Sequence, residues 1–95
     1  MTSTDFESTS IESAANAFAA LGDPIRLRVI GLLHLGERCV CELQEEIGIA
    51  PNLLSYHLRV LREAGLIEGS RRGRWIDYRL NRQGLNALRS VLGEA

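Results

Sequence analysis

The sequence contains no lysine. Its 11 basic side chains are therefore all arginines, set against 12 acidic residues. Cysteine occurs only twice and the aromatic content is 5%. Two cysteines exclude a disulfide-built scaffold and leave free thiols, a metal site or a redox site. No apolar run is long enough to cross a bilayer. The opening MTSTDFESTS has neither a basic start nor an apolar stretch, so it does not read as a secretory signal, and the expected location is cytoplasmic. Also missing are paired carboxylates, a phosphate loop and an activated nucleophile in its required context, so an enzyme is not expected. There is no internal repeat and no low-complexity linker.

What is there fits one domain. A chain of 95 residues has a thin core and often gains stability by dimerising. The formal net charge of −1 hides an asymmetry. Residues 1–50 hold three arginines against eight acidic residues, whereas residues 51–95 hold eight against four. A basic half is a footprint for nucleic acid, although it also suits a solvated surface of mixed charge. Arginine fits the first role because its fork donates two parallel hydrogen bonds to phosphate or guanine.

Residues 1–10 are polar and rich in Ser and Thr, which reads as a disordered tail. The folded domain is expected over residues 11–93. Residues 11–21, IESAANAFAAL, favour a helix that Gly22 ends. Asp23-Pro24 supplies an N-cap and a first-turn proline for a second helix, with Ile25, Val29, Leu32 and Leu33 at helical spacing and Gly36 as its stop. Cys41 to Ile47 predict a short third helix, with Leu43 and Ile47 inward and Glu42, Glu45 and Glu46 in water. Gly48 closes it, and Pro51 opens a fourth helix that runs to about Ala64. Two helices joined by a short turn containing glycine form a helix-turn-helix.

Ile76, Tyr78 and Leu80 alternate with Asp77 and Arg79, the period of a half-buried strand. Leu66 and Ile67 supply the partner strand, and Ser70 to Gly73 the turn. Trp75 and Tyr78 read as packing on the hairpin's inner surface. Residues 82–93 predict a last helix with Leu85, Leu88 and Leu92 on one face. The fold class is thus mainly α with a β-hairpin wing, a winged helix-turn-helix. The first and last helices carry apolar faces, read as a homodimer interface, with folding back onto the chain's own core as the alternative.

In the fourth helix Leu54, Leu58 and Leu61 form a buried seam. Asn52, Ser55, Tyr56 and Arg59 lie opposite. This outer face lacks the Glu/Lys pairs of an ordinary solvated helix, and Asn and Arg pair well with adenine and guanine. His57 sits beside the seam and reads as a packed residue. Arg71, Arg72 and Arg74 cluster around Gly73 at the hairpin tip, where they would contact phosphates or enter a minor groove.

The stretches ALGDPIRLRVIGLL, ERCVCELQEEIGIAPNLLSYHLRVLREAGLI and RRGRWIDYRL together resemble the ArsR (ArsR/SmtB) family of metal-sensing repressors, over about residues 12–92. The resemblance implies a homodimer that binds double-stranded operator DNA and releases it on binding a ligand, with no resident cofactor. It assigns DNA contacts to Asn52, Ser55, Tyr56 and Arg59. It also implies that Cys39-Val40-Cys41 matches a family sensing site for a thiophilic inducer, As(III) or Sb(III), or a methylated arsenical. A second family site, on the last helix, is not matched, because residues 82–95 have neither His nor Asp. The family pattern for arsenic has a third Cys where Gln44 stands, and the tail lacks the extra Cys of cadmium and lead sensors.

Thiolates are soft ligands and a paired dithiol selects thiophilic elements. In a continuous helix residues i and i+2 diverge, so Cys39 and Cys41 would share one ion only if the helix start were loosened. His34 is a conceivable third ligand for a divalent metal, against a solvated histidine at a helix end. The rival readings are two inert buried cysteines, a cadmium or lead sensor, and a thiol redox or reactive-sulfur sensor. In the redox case a bridge between residues two apart is expected to be strained, which favours an intermolecular or persulfide form.

Overall fold

A computed structural model of the chain describes the backbone of residues 3–93 and the side chains of residues 11–93. The first helix, α1, is Ser3–Leu21. Its backbone thus continues through residues 3–10, the stretch whose composition reads as a tail; residues 1–2 lie outside the described residues. Helix α2 (Pro24–His34) follows as its cap residues dictate. The Asp23 carboxylate accepts from the backbone N–H of Ile25 at 2.8 Å and of Arg26 at 3.2 Å, and Pro24 occupies the first turn.

Helix α3 is Val40–Ile47 and helix α4 is Pro51–Glu63. The turn between them depends on Gly48, whose φ of 73° lies in the left-handed region. Its N–H closes α3 on the Gln44 carbonyl at 2.9 Å. The Gln44 side chain then donates to the Ile49 carbonyl, pinning the turn from the other side. The α3–turn–α4 unit is the expected helix-turn-helix.

Two strands, β2 (Ile67–Arg72) and β3 (Trp75–Leu80), form the wing, and α5 (Arg82–Val91) ends the described chain. Helix α5 stops short of residue 93, and Leu92 is 73% exposed instead of joining an inward face. The wing pairs Arg72 with Trp75, so the turn is only Gly73-Arg74. It is tighter than the Ser70–Gly73 turn expected, because Ser70, Arg71 and Arg72 each find a partner on β3. Gly73, with φ 61°, makes that tight reversal possible. Trp75 and Tyr78 do not share a surface. They are three residues apart on a strand of period two, so Tyr78 is buried while Trp75 is 44% exposed. The Tyr78 ring lies across Gly69, where a Cβ would meet it at 2.9 Å.

A third strand was not anticipated. Arg38–Cys39 form β1, which pairs antiparallel with the far edge of β3 through Arg38↔Tyr78 and Cys39↔Asp77. The sheet order is therefore β1-β3-β2. Two residues carry no readable periodicity, which is why the strand escapes sequence reasoning.

The core is continuous from helices to wing. Val29, Leu43, Leu54, Leu61 and Leu66 are fully buried and Leu58 and Ile67 nearly so. Each such side chain stabilises the fold by about 1.5–3 kcal/mol relative to exposure. Among the described side chains, helix α1 buries only the small residues Ala14, Ala17 and Ala20, packing on α2, α4 and α5. The terminal helices thus do cover their own core, yet Ile11, Phe18, Val91 and Leu92 remain exposed.

Candidate functional site

The seam of α4 fixes what its other face can do. With Leu54, Leu58 and Leu61 buried, Asn52, Ser55, Tyr56 and Arg59 are all exposed on the opposite side, as their spacing requires. The Arg59 guanidinium stands 5.9 Å from the centre of the Tyr56 ring. Leu53 is also 44% exposed on this face, beside Asn52. The seam spacing read from the sequence did not single it out. An apolar side chain here can meet a thymine methyl in a major groove. His57 is packed as expected, 7% exposed, with its ring edge-on to Tyr56 at 5.3 Å.

The wing tip carries the three arginines together, but they are not equivalent. Arg72 lies on Asp77 through two bonds, Nε to Oδ2 at 2.7 Å and NH2 to Oδ1 at 3.0 Å. This pair holds the Asp77 carboxyl below its ordinary value and raises that of Arg72. Arg71 and Arg74 are exposed and, among the described residues, form no ion pair. They are the tip cations ready for a polyanion, while Arg72 braces the hairpin. Farther down, Arg79 meets its cross-strand neighbour Glu68 at 2.9 Å.

The cysteines stand 5.3 Å apart at Cα and are joined in a disulfide. This corrects one expectation, because the bridge lies within one chain and not between two. Cys39 is the N-cap of α3, extended at φ −77° and ψ 159°, while Cys41 sits in the first turn. The extended cap swings the Cys39 side chain back over the helix start, so the divergence that a continuous helix imposes on i and i+2 does not apply. The Cα separation falls inside the range ordinary disulfides use. Cys39 is buried at 8% and Cys41 is exposed. The cap is fastened by the Cys39 N–H, which donates to Glu42 Oε1 at 2.9 Å.

Little else converges on the sulfurs. Gln44, where the resemblance would have placed a third cysteine, is engaged with the Ile49 carbonyl. His34 is exposed at the end of α2. Among the described residues no group of three or more His, Cys, Asp or Glu could hold a metal ion. Nor is any helix among them long and apolar enough to cross a membrane.

Comparison with known proteins agrees with this geometry. The family model for bacterial regulatory proteins of the arsR family matches residues 23–69, from the cap of α2 into β2. The chain is 40% identical to the arsenical resistance operon repressor of Bacillus subtilis over 74 residues, 77% of this chain and 70% of that one. It is also 40% identical to the biofilm growth-associated repressor of Xylella fastidiosa over 95 residues, 96% of this chain and 82% of that one. The crystal structure of the Xylella repressor, BigR, superposes with a TM-score of 0.68, covering 96% of each chain. A solution structure from Mycobacterium bovis, a homodimeric winged helix-turn-helix DNA-binding domain of a possible ArsR-family regulator, superposes at 0.78 with 26% identity, covering 90% of this chain and 81% of that one. The buried seam, the exposed outer face of α4 and the wing thus have one explanation, and the chain belongs to the arsR family of winged helix-turn-helix transcriptional repressors.

Proposed function

We propose that the chain is a homodimeric repressor that reads operator DNA with α4 and the wing, and that its Cys39–Cys41 pair controls release by binding a trivalent arsenical or antimonial. The observation that carries this reading is the meeting of the two sulfurs at the start of α3, the helix that leads directly into α4. Asn52, Ser55, Tyr56 and Arg59 face the major groove. Arg71 and Arg74 engage phosphates beside it. The uncovered Ile11, Phe18, Val91 and Leu92 pair with those of a second copy, as a homodimeric relative supports. A repressor acts on the chromosome, so the protein works in the cytoplasm.

The sensing chemistry requires the reduced pair. Arsenous acid exchanges two hydroxides for the two thiol sulfurs; each hydroxide leaves as water with one thiol proton, and one hydroxide stays as the third ligand. A monomethyl arsenical fills that third position with its own carbon, so the missing third cysteine at Gln44 is no obstacle. Cadmium, lead and zinc fit less well, because they take fuller protein shells than two sulfurs provide. Binding would pull on Cys39, whose backbone is at once the cap of α3 and the partner of Asp77 on the wing strand.

The disulfide supports a second reading, a thiol redox sensor. Two thiols become a disulfide by passing two electrons and two protons to an oxidant, and the exposed Cys41 sulfur is the one such an oxidant or a reactive sulfur species would reach.

Thiol counting tests both. In reduced protein an alkylating agent should modify two thiols per chain, and one equivalent of arsenite should protect both and add one arsenic by mass. Free alkylation in the presence of arsenite would end the metalloid reading. Equal operator affinity of the dithiol and disulfide forms would end the redox reading.

A further inference from the structure

Helix α4 is held almost wholly by apolar packing. Such contacts set its distance from the core but are poorly directional, and reading bases requires its rotation to be set closely. One directional contact is present. His57, buried in the middle of α4, hydrogen-bonds through Nδ1 to Arg26 NH1 at 3.0 Å. Among the described residues no other side chain of α4 hydrogen-bonds to another element. The same guanidinium donates from Nε to the Ala20 carbonyl, in the last turn of α1, at 2.6 Å. The Arg26 backbone N–H is itself held by Asp23. One side chain on α2 therefore ties the C-terminus of α1 to the centre of α4.

We infer that Arg26 and His57 are positioning residues for DNA recognition, a tie that sets α4 against the α1–α2 corner so that its outer face meets the bases. The inference rests on α4 being the reading helix. It follows from where the tie sits: Tyr56 precedes His57 and Arg59 follows two residues later, both on the exposed face. A turn of α4 that breaks the bond moves both. The Arg26 guanidinium is always a donor, so Nδ1 of His57 is the acceptor of the tie.

The test measures anisotropy of the full-length protein on a duplex from upstream of its own gene and on a scrambled duplex, at fixed ionic strength. Arg26→Lys keeps the charge but a single ammonium cannot span both partners. Its affinity for the specific duplex should fall about tenfold or more, as expected on losing a hydrogen bond to a charged group, with the scrambled duplex unaffected. His57→Leu should behave alike. His57→Gln restores an acceptor, so it should keep specific binding near wild type. Unchanged ratios in Arg26→Lys and His57→Leu, or a ratio in His57→Gln no better than in His57→Leu, overturn the inference even if folding of a variant is disturbed. Asn52→Ala is the control for α4: if it leaves the ratio intact, the reading helix has been misassigned and the inference falls with it.

Discussion

Arg72 and Asp77 are joined by two hydrogen bonds across the wing, and Asp77 is also the residue that pairs in register with Cys39 on the opposite edge of β3. The brace of the hairpin and the sulfur pair therefore meet on one strand. The Arg72 guanidinium beside it holds the Asp77 carboxyl below its ordinary value. The sign of the consequence is set by linkage. A group whose folded value is depressed contributes stability above its unfolded pKa and loses it as pH falls through the folded value. The wing should thus stay ordered through neutral and mildly acidic pH and loosen only below the ordinary carboxylate range. Trp75, the one tryptophan, pairs with Arg72 and reports on this by fluorescence. An acid transition at or above that range, or one unchanged in Asp77→Asn, would contradict the assignment.

The two unpaired wing arginines should differ from the third in how binding depends on salt. Arg71→Ala and Arg74→Ala should each weaken binding to any duplex and reduce the slope of log affinity against log salt by about 0.9. Arg72→Ala should change the slope less, because its charge is already spent on Asp77. Equal slopes for all three variants would mean that Arg72 leaves Asp77 when DNA arrives.

Substitutions on the outer face of α4 should act on sequence preference. Asn52→Ala and Arg59→Ala should each relax discrimination at one base pair, by about 1–3 kcal/mol. A panel of duplexes with single base changes measures this. Uniform weakening across the panel would make these residues phosphate contacts instead.

The seam beneath that face is the costly part of the helix. Leu54 is fully buried, so Leu54→Ala should destabilise the domain by about 2–5 kcal/mol in chemical denaturation. A loss below about 1 kcal/mol would mean that α4 packs more loosely than its burial implies.

Much of this arrangement was legible in the sequence, for identifiable reasons. The Leu54/Leu58/Leu61 spacing leaves only one face for Asn52, Ser55, Tyr56 and Arg59. Asp23-Pro24 and Gly48 mark boundaries that the backbone obeys within a residue. What escaped was tertiary. Strand β1 is two residues long and exists because β3 has a free edge. The extended cap at Cys39 brings its sulfur to Cys41, which helix periodicity alone forbids. The pairing of Arg72 with Asp77 and of Arg26 with His57 joins residues whose separation in sequence carries no pattern. The arginine cluster at the wing read as three equal cations, and only the cross-strand register shows that one is engaged.

The central claim is that the chemical state of Cys39 and Cys41 governs occupancy of the operator. It is tested most directly by anisotropy of the reduced protein on the duplex from upstream of its own gene during an arsenite titration, for wild type, Cys39→Ser and Cys41→Ser. The account predicts tight binding by all three before arsenite and release of the wild type alone. Release of Cys41→Ser at the same arsenite concentration as the wild type would contradict it.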